Sequence, residues 1–441
     1  MKVRSIFSLL AILAILLQSN GAYAQVGVAQ KSGPKPLTFD KEKFIATVNK
    51  NQLGAGILDG YAAVLIKDGN LVVEVAGGSA IRGDDKQKGA AMTTSTPNHI
   101  GSDFKVISFI SLLSVLDKRA ANNPALTVEK QLNQPILPYL PKAWRLFVQA
   151  SKNPDVVRIS NTTFRQLMSH TSGFRTISFP KGTKVSPFNY ISSGIKPSNV
   201  RVRRYANFNA TLVTYLITRL VDPAAADKID NQIQVAKLAN NDHENYGEIY
   251  GDFYENWMQK NIFDAIQPAF RPSCDPAVDF PKRNPRVTFA RFYETALGGA
   301  NPAYWSEKDN NYGCHAQGGY YLSMLQLAAF MANYQASNTL VSAKTRELIY
   351  DDSTPATRAA ALIFDNWPSN FTKKNFGVNA IPFHLGSGAN ANFTGGYANT
   401  AILLLPGGYV AVGTITSKGN AVDVFNGLKD AWGEAIKGNF E

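Results

Sequence analysis

Gly101-Ser102-Asp103-Phe104-Lys105-Val106-Ile107-Ser108-Phe109-Ile110-Ser111-Leu112-Leu113-Ser114-Val115-Leu116 is the stretch whose reading decides the fold. Val106, Ile107, Phe109, Ile110, Leu112, Leu113, Val115 and Leu116 fall on almost every side of a helix. A helix with no polar side is surrounded by protein. The spacing therefore predicts a central buried helix opening at Gly101. Ser102 and Lys105 stand three residues apart and share a face of its first turn. An S-x-x-K pair is one arrangement by which a lysine activates a nucleophilic serine. A serine that merely caps the helix is the alternative. Lys105 argues against it, because a cation at a helix N-terminus costs about 0.3–1 kcal/mol. A capping box would place Glu or Gln at that position. Desolvation and the helix dipole both favour the neutral amine that a general base needs, so the Lys105 pKa is expected below that of a surface lysine. The same dipole and the free backbone N–H groups favour an oxyanion beside Ser102.

Outward from this helix, strands lie toward both ends of the chain. Tyr61 to Ile66 and Leu71 to Val75 are β-rich runs around Asp68-Gly69, a strong hairpin signal. Asn392 to Tyr397, Thr400 to Leu405 and Val410 to Thr416 read as strands, with Pro406-Gly407-Gly408 as a turn. Helices are expected over Leu37 to Leu53, Thr163 to Met168, Ala210 to Val221, Gly251 to Phe263, Val287 to Leu297, Met324 to Gln335 and Val422 to Ile436. Ala76 to Ala91 reads as a loop, and Ala224 to Gly251 as a polar insertion. The expected class is α+β. An antiparallel sheet flanked by helices comes from both termini (37–100 and 341–441), and a mostly helical domain is inserted (101–340).

The first residues read as an export signal. Lys2 and Arg4 precede an apolar run from Ile6 to Leu17, and Ala22-Tyr23-Ala24 fits a signal peptidase site. The run is too short to span a bilayer, which needs about 20 residues. A signal peptide over 1–24, a flexible polar segment over 25–36 and a periplasmic or secreted protein without stable membrane insertion are expected. The net charge is +12, but the basic residues are scattered apart from Arg201, Arg203 and Arg204. No nucleic-acid motif accompanies them, so no nucleic-acid partner is expected. Cys274 and Cys314 are the two cysteines. They can form one disulfide closing a loop of about 40 residues, worth roughly 3–4 kcal/mol, or remain thiols. Their polar, turn-rich surroundings favour the disulfide.

Two more triplets stand later in the chain: Tyr205-Ala206-Asn207, and His384-Leu385-Gly386 within His384-Leu385-Gly386-Ser387-Gly388. Each alone reads as packing, capping or turn. The order S-x-x-K, Y-x-N, H-x-G resembles the class C β-lactamase and penicillin-binding-protein-like serine hydrolases. Tyr61 to Asn70 is similar to the family's first hairpin. Leu167-Met168-Ser169-His170-Thr171-Ser172-Gly173-Phe174 is similar to its LLxHxSG loop. Ala316-Gln317-Gly318-Gly319-Tyr320 with Met324 to Phe330, and Leu404 to Gly408, are similar to later segments.

The resemblance implies that Ser102 is the acylated nucleophile and that Lys105 and Tyr205 carry its protons. It implies that Asn207 holds the substrate amide or the lysine, that His384 and Gly386 line the third edge of the site, and that the N–H groups of Ser102 and Ser387 form an oxyanion hole. It implies acylation and hydrolysis of a small acyl substrate or a cell-wall peptide, with no metal and no cofactor. His384 stands where class C β-lactamases carry lysine, so a β-lactam carboxylate is held less firmly. The third motif resembles D-peptidases, D-aminopeptidases and carboxylesterases of the family. The substrate is thus an ester, a D-amino-acid amide or a β-lactam. A D,D-peptidase, or a catalytically silent protein that binds cell-wall peptide, is the alternative. A G-x-S-x-G elbow is absent, which argues against an α/β-hydrolase.

Overall fold

The computed structural model describes residues 38–53, 60–83, 89–175, 186–240, 245–284, 287–291, 316–350, 363–368, 380–389, 397–416 and 421–437. The signal and flexible segments, the strand expected from Asn392, and Cys314 lie wholly or mostly outside these residues. Six strands form one antiparallel sheet: β1 (Tyr61–Lys67), β2 (Asn70–Gly77), β3 (Asp365–Pro368), β4 (Ala380–Ala389), β5 (Tyr397–Leu405) and β6 (Tyr409–Ile415). Their order across the sheet is β2-β1-β6-β5-β4-β3. The strands come from both ends of the chain, and the helices lie between, as the α+β reading expects. Asp68 and Gly69 have φ of 49° and 80°, so both central residues of the hairpin turn are left-handed, the geometry that matches strand twist.

The continuous apolar run of β1 follows from burial on both faces. Ala62, Val64 and Ile66 point into the larger core, shared with the helical region. Tyr61, Ala63 and Leu65 point into a second core, where Phe44 and Val48 of α1 (Lys41–Leu53) meet Phe425 and Trp432 of the C-terminal helix Ala421–Ala435. Within the larger core runs α2 (Phe104–Asn122), in which every residue from Phe104 to Leu116 is buried. Ser108 and Ser111 lie within that buried stretch and return their hydroxyls to carbonyls four residues back, Phe104 and Ile107, which satisfies polar groups that water cannot reach.

Some expectations change. Residues 287–291 are not helical: the backbone N–H groups of Ala290 and Arg291 donate to Pro97 and Ala80, so long-range pairing replaces helix bonds there. Ala76 to Ala91 is not wholly loop, because β2 runs to Gly77 and Ser79–Ile81 pairs with Ala90–Ala91. The polar segment from Ala224 is helical, over Pro223–Asn240 and Asn245–Met258. The residues around His384 form β4, the strand that the resemblance implies at the third edge of the site. Cys274 is buried and disulfide-bonded. Among the described residues no helix is long and apolar enough to cross a membrane.

Candidate active site

Ser102 sits on a single 3-10 turn, Gly101–Asp103, that leads into α2. The turn is formed where a glycine can take φ of 53°, and where a Cβ on Gly101 would stand 2.6 Å from Ser387 N. Only glycine lets the nucleophile turn approach β4 this closely. Lys105 Nζ lies 2.8 Å from Ser102 Oγ and donates to the Gln317 carbonyl at 2.5 Å. The lysine is 1% exposed. The Gln317 carbonyl is held in place from both sides: Ser108 Oγ donates to the neighbouring Ala316 carbonyl at 2.8 Å, and Ala316 N donates to Thr214 Oγ1 at 3.1 Å. The segment before the nucleophile is fastened to the same region, with Ile100 N on the Tyr320 carbonyl and Asn98–His99 paired with Tyr321–Leu322.

Tyr205 arrives from a separate loop, just before α3 (Asn207–Val221), and its hydroxyl donates to Ser102 Oγ at 2.6 Å. The ring lies under the lysine, with Lys105 Nζ 5.1 Å from its centroid. On its other side His170 stacks at 4.9 Å. His170 Nδ1 accepts from the Ala206 N–H at 3.3 Å and from the Asn209 amide at 3.0 Å, so the ring proton belongs on Nε2. Burial, with Arg203 next, holds His170 well below the ordinary histidine value. The loop is thus fixed by a neutral imidazole. Although Tyr205 is 46% exposed, the protein around its hydroxyl raises the phenol above its ordinary value, partly offset by the bond to Ser102. Tyr205 therefore stays protonated and acts as a donor at neutral pH.

The third wall is β4. His384 and Gly386 share the sheet face that meets the nucleophile turn, pairing with Ile402 and Thr400 of β5. A Cβ on Gly386 would stand 2.2 Å from the Ile100 carbonyl and 2.9 Å from Asp103 N. Ser387 is exposed and its hydroxyl bonds Asn399 Oδ1 at 3.1 Å. His384 is 3% exposed, and its Nδ1 lies 2.8 Å from Asp103 Oδ1.

The structure thus brings Ser102, Lys105, Tyr205, Gly386 and Ser387 to one place, with His384 turned onto Asp103 beneath it. Asn207 is exposed at the first turn of α3; Lys105 is held by the Gln317 carbonyl rather than by this asparagine. Four contributors escape the sequence reading: Asp103, His170 as the partner of Tyr205, Asn209 and Gln317. The segments around His170 and Gln317 stand out in the sequence, but a backbone carbonyl or a ring stack leaves no residue-type signature.

Residues 48–233 match the family model described as Beta-lactamase. Over those residues, fewer than half of the chain, the sequence is similar to the β-lactamase family. Solved structures agree in fold. FmtA from Staphylococcus aureus matches with a TM-score of 0.56 at 17% identity, over 93% of this chain and 95% of that one. A class C β-lactamase from Rhodobacter sphaeroides matches at 0.56 and 13% identity, over 88% and 98%. A penicillin-binding protein homologue from Pyrococcus abyssi matches at 0.55 and 15%, over 85% and 73%. At these identities the likeness is one of fold. No curated protein matches the sequence. The S-x-x-K serine lies within the matched residues, whereas the H-x-G strand lies beyond them.

Proposed function

We propose that the protein is an exported serine hydrolase that works through an acyl-enzyme on Ser102. One observation carries the reading: Ser102 Oγ lies 2.8 Å from a buried lysine amine and 2.6 Å from a phenol that donates to it. The match of residues 48–233 to the β-lactamase family model supports serine hydrolase chemistry in general. The finer assignment is to a small ester, a D-amino-acid amide or a β-lactam.

In the acylation step the Ser102 hydroxyl proton passes to neutral Lys105, and Oγ attacks the substrate carbonyl carbon. The carbonyl oxygen becomes an oxyanion and is received by the Ser102 and Ser387 N–H groups; losing one such donor costs about 10²–10³ in rate. The tetrahedral intermediate collapses as the bond to the leaving group breaks. That group takes a proton from the Lys105 ammonium, relayed by Tyr205. Water then attacks the acyl carbon and yields a proton to the same pair. The acid is released and Ser102 regains its proton. The disulfide at Cys274 accords with an oxidising compartment outside the cytoplasm.

The mature protein is incubated with a fluorophosphonate probe and with a fluorescent penicillin, and the adduct is mapped by mass. Labelling at Ser102 that disappears in Ser102→Ala, together with turnover of p-nitrophenyl acetate, is expected. No adduct and no turnover of that ester, a D-alanyl peptide or nitrocefin would sink the reading and leave a binding protein for cell-wall peptide.

A further inference from the structure

The mechanism above leaves one charged pair beside the nucleophile unused. Asp103 directly follows Ser102, is 0% exposed, and has its Oδ1 2.8 Å from His384 Nδ1. Gly386, two residues along the same face of β4, presses on Ile100 and Asp103. The wall and the nucleophile turn are therefore one packed unit.

Resting on the serine-hydrolase reading, we propose that Asp103 determines specificity: it cancels the positive charge His384 could bring to the β4 wall, so the site takes acyl substrates without a carboxylate beside the scissile bond. The charge count is short. A carboxylate beside a neutral imidazole is −1, and one further proton makes the pair zero. A net +1 needs both groups protonated, which leaves a buried imidazolium beside a neutral acid, and burial opposes that. Burial raises the Asp103 carboxyl, with His384, then a hydrogen bond from Thr400 and then Lys105 offsetting it.

The neighbouring charges do not alter the contrast. Lys105 is engaged on Ser102 and Gln317 and meets every substrate alike. Arg203 pairs with Asp365 of β3. His170 is kept neutral by burial. Arg204 is exposed at the mouth, where water and salt screen it. Among the described residues, a substrate carboxylate directed at β4 thus meets no fixed cation.

The test compares kcat/KM for phenyl acetate and m-carboxyphenyl acetate, each normalised to its hydroxide-catalysed rate. The wild type is expected to prefer phenyl acetate. Asp103→Asn keeps the shape and an acceptor for His384 and removes the carboxylate charge, taking the pair of −1 to zero. It should move the ratio toward the carboxylate ester by roughly tenfold, the effect of a unit charge about 10 Å away at an effective dielectric near 20. Asp103→Glu keeps the charge and should keep the wild-type ratio even where it lowers both rates. A wild-type ratio that favours the carboxylate ester overturns the proposal, whether or not the variants fold. So does the same ratio in Asp103→Asn and Asp103→Glu. Absence of any Ser102-dependent turnover in the wild type would instead overturn the serine-hydrolase reading, and this inference with it.

Discussion

At the scale of the residue, Ser102 Oγ meets two groups that the proposed mechanism uses as proton carriers. The Lys105 amine is buried 2.8 Å from that oxygen, while burial keeps the Tyr205 phenol protonated. Lys105→Arg should therefore fail as a base, because a guanidinium does not release its proton near neutral pH. Its kcat for p-nitrophenyl acetate is expected to fall by about 10²–10⁴, the usual weight of general base catalysis. Tyr205→Phe should lower kcat by roughly 10² or more while the wild-type alkaline limb stays in place up to pH 10, since the raised phenol does not ionise there. Equal kcat in wild type and Lys105→Arg would remove the lysine from the chemistry. The S-x-x-K pair was legible from two residues on one helical face. Asp103 was not, since an acidic residue in a first turn is ordinary helix chemistry until a distant histidine is found against it.

At the scale of the element, the site depends on how closely β4 approaches the turn before α2. Gly386 is the contact: any side chain there meets the Ile100 carbonyl and the Thr400 hydroxyl, both 2.2 Å from an added Cβ. Gly386→Ala should cost about 1–3 kcal/mol in urea unfolding, the range for overpacking a tight contact. It should also lower kcat by displacing Ser387 from the nucleophile. A variant as stable and as active as the wild type would show that this contact does not set the site. The buried helix and the first hairpin were readable because apolar runs and Asp-Gly turns are local signals. The strand Ala380–Ala389 was not: His384, Gly386, Ser387 and Gly388 interrupt its apolar pattern, and its extended form comes from pairing with β5. The opposite miss, 287–291, has the same cause, as a helical apolar spacing was overruled by bonds to Pro97 and Ala80.

At the scale of the whole molecule, two buried histidines make stability depend on pH. Desolvation lowers His99 to about 4 and holds His170 well below its ordinary value. The unfolded chain takes up these protons near pH 6.5 and the folded chain does not. The unfolded state thus binds more protons below that value, and stability falls as pH drops. Asp103, raised by burial, contributes in the opposite sense over a range that runs upward from the unfolded carboxylate value of about 3.8, and so offsets part of the histidine effect. Melting temperature should therefore decline from pH 6.5 toward pH 4, with a shallower decline in His99→Gln. A flat profile from pH 6.5 to 4, or an unchanged slope in that variant, would contradict the assignment.

Taken by itself, the sequence determined a buried helix with a serine and a lysine at its mouth, an antiparallel sheet drawn from both ends, and the order of the three motifs. These follow from periodicity and turn chemistry, which act over a few residues. Only the tertiary structure decided that Tyr205, 103 residues beyond Ser102, shares its oxygen with Lys105, that the Gln317 carbonyl rather than Asn207 holds that lysine, and that His384 is spent on Asp103 across 281 residues. Such partners are chosen when the sheet closes and the helices pack. They are set by which surfaces become buried together, which no local pattern records.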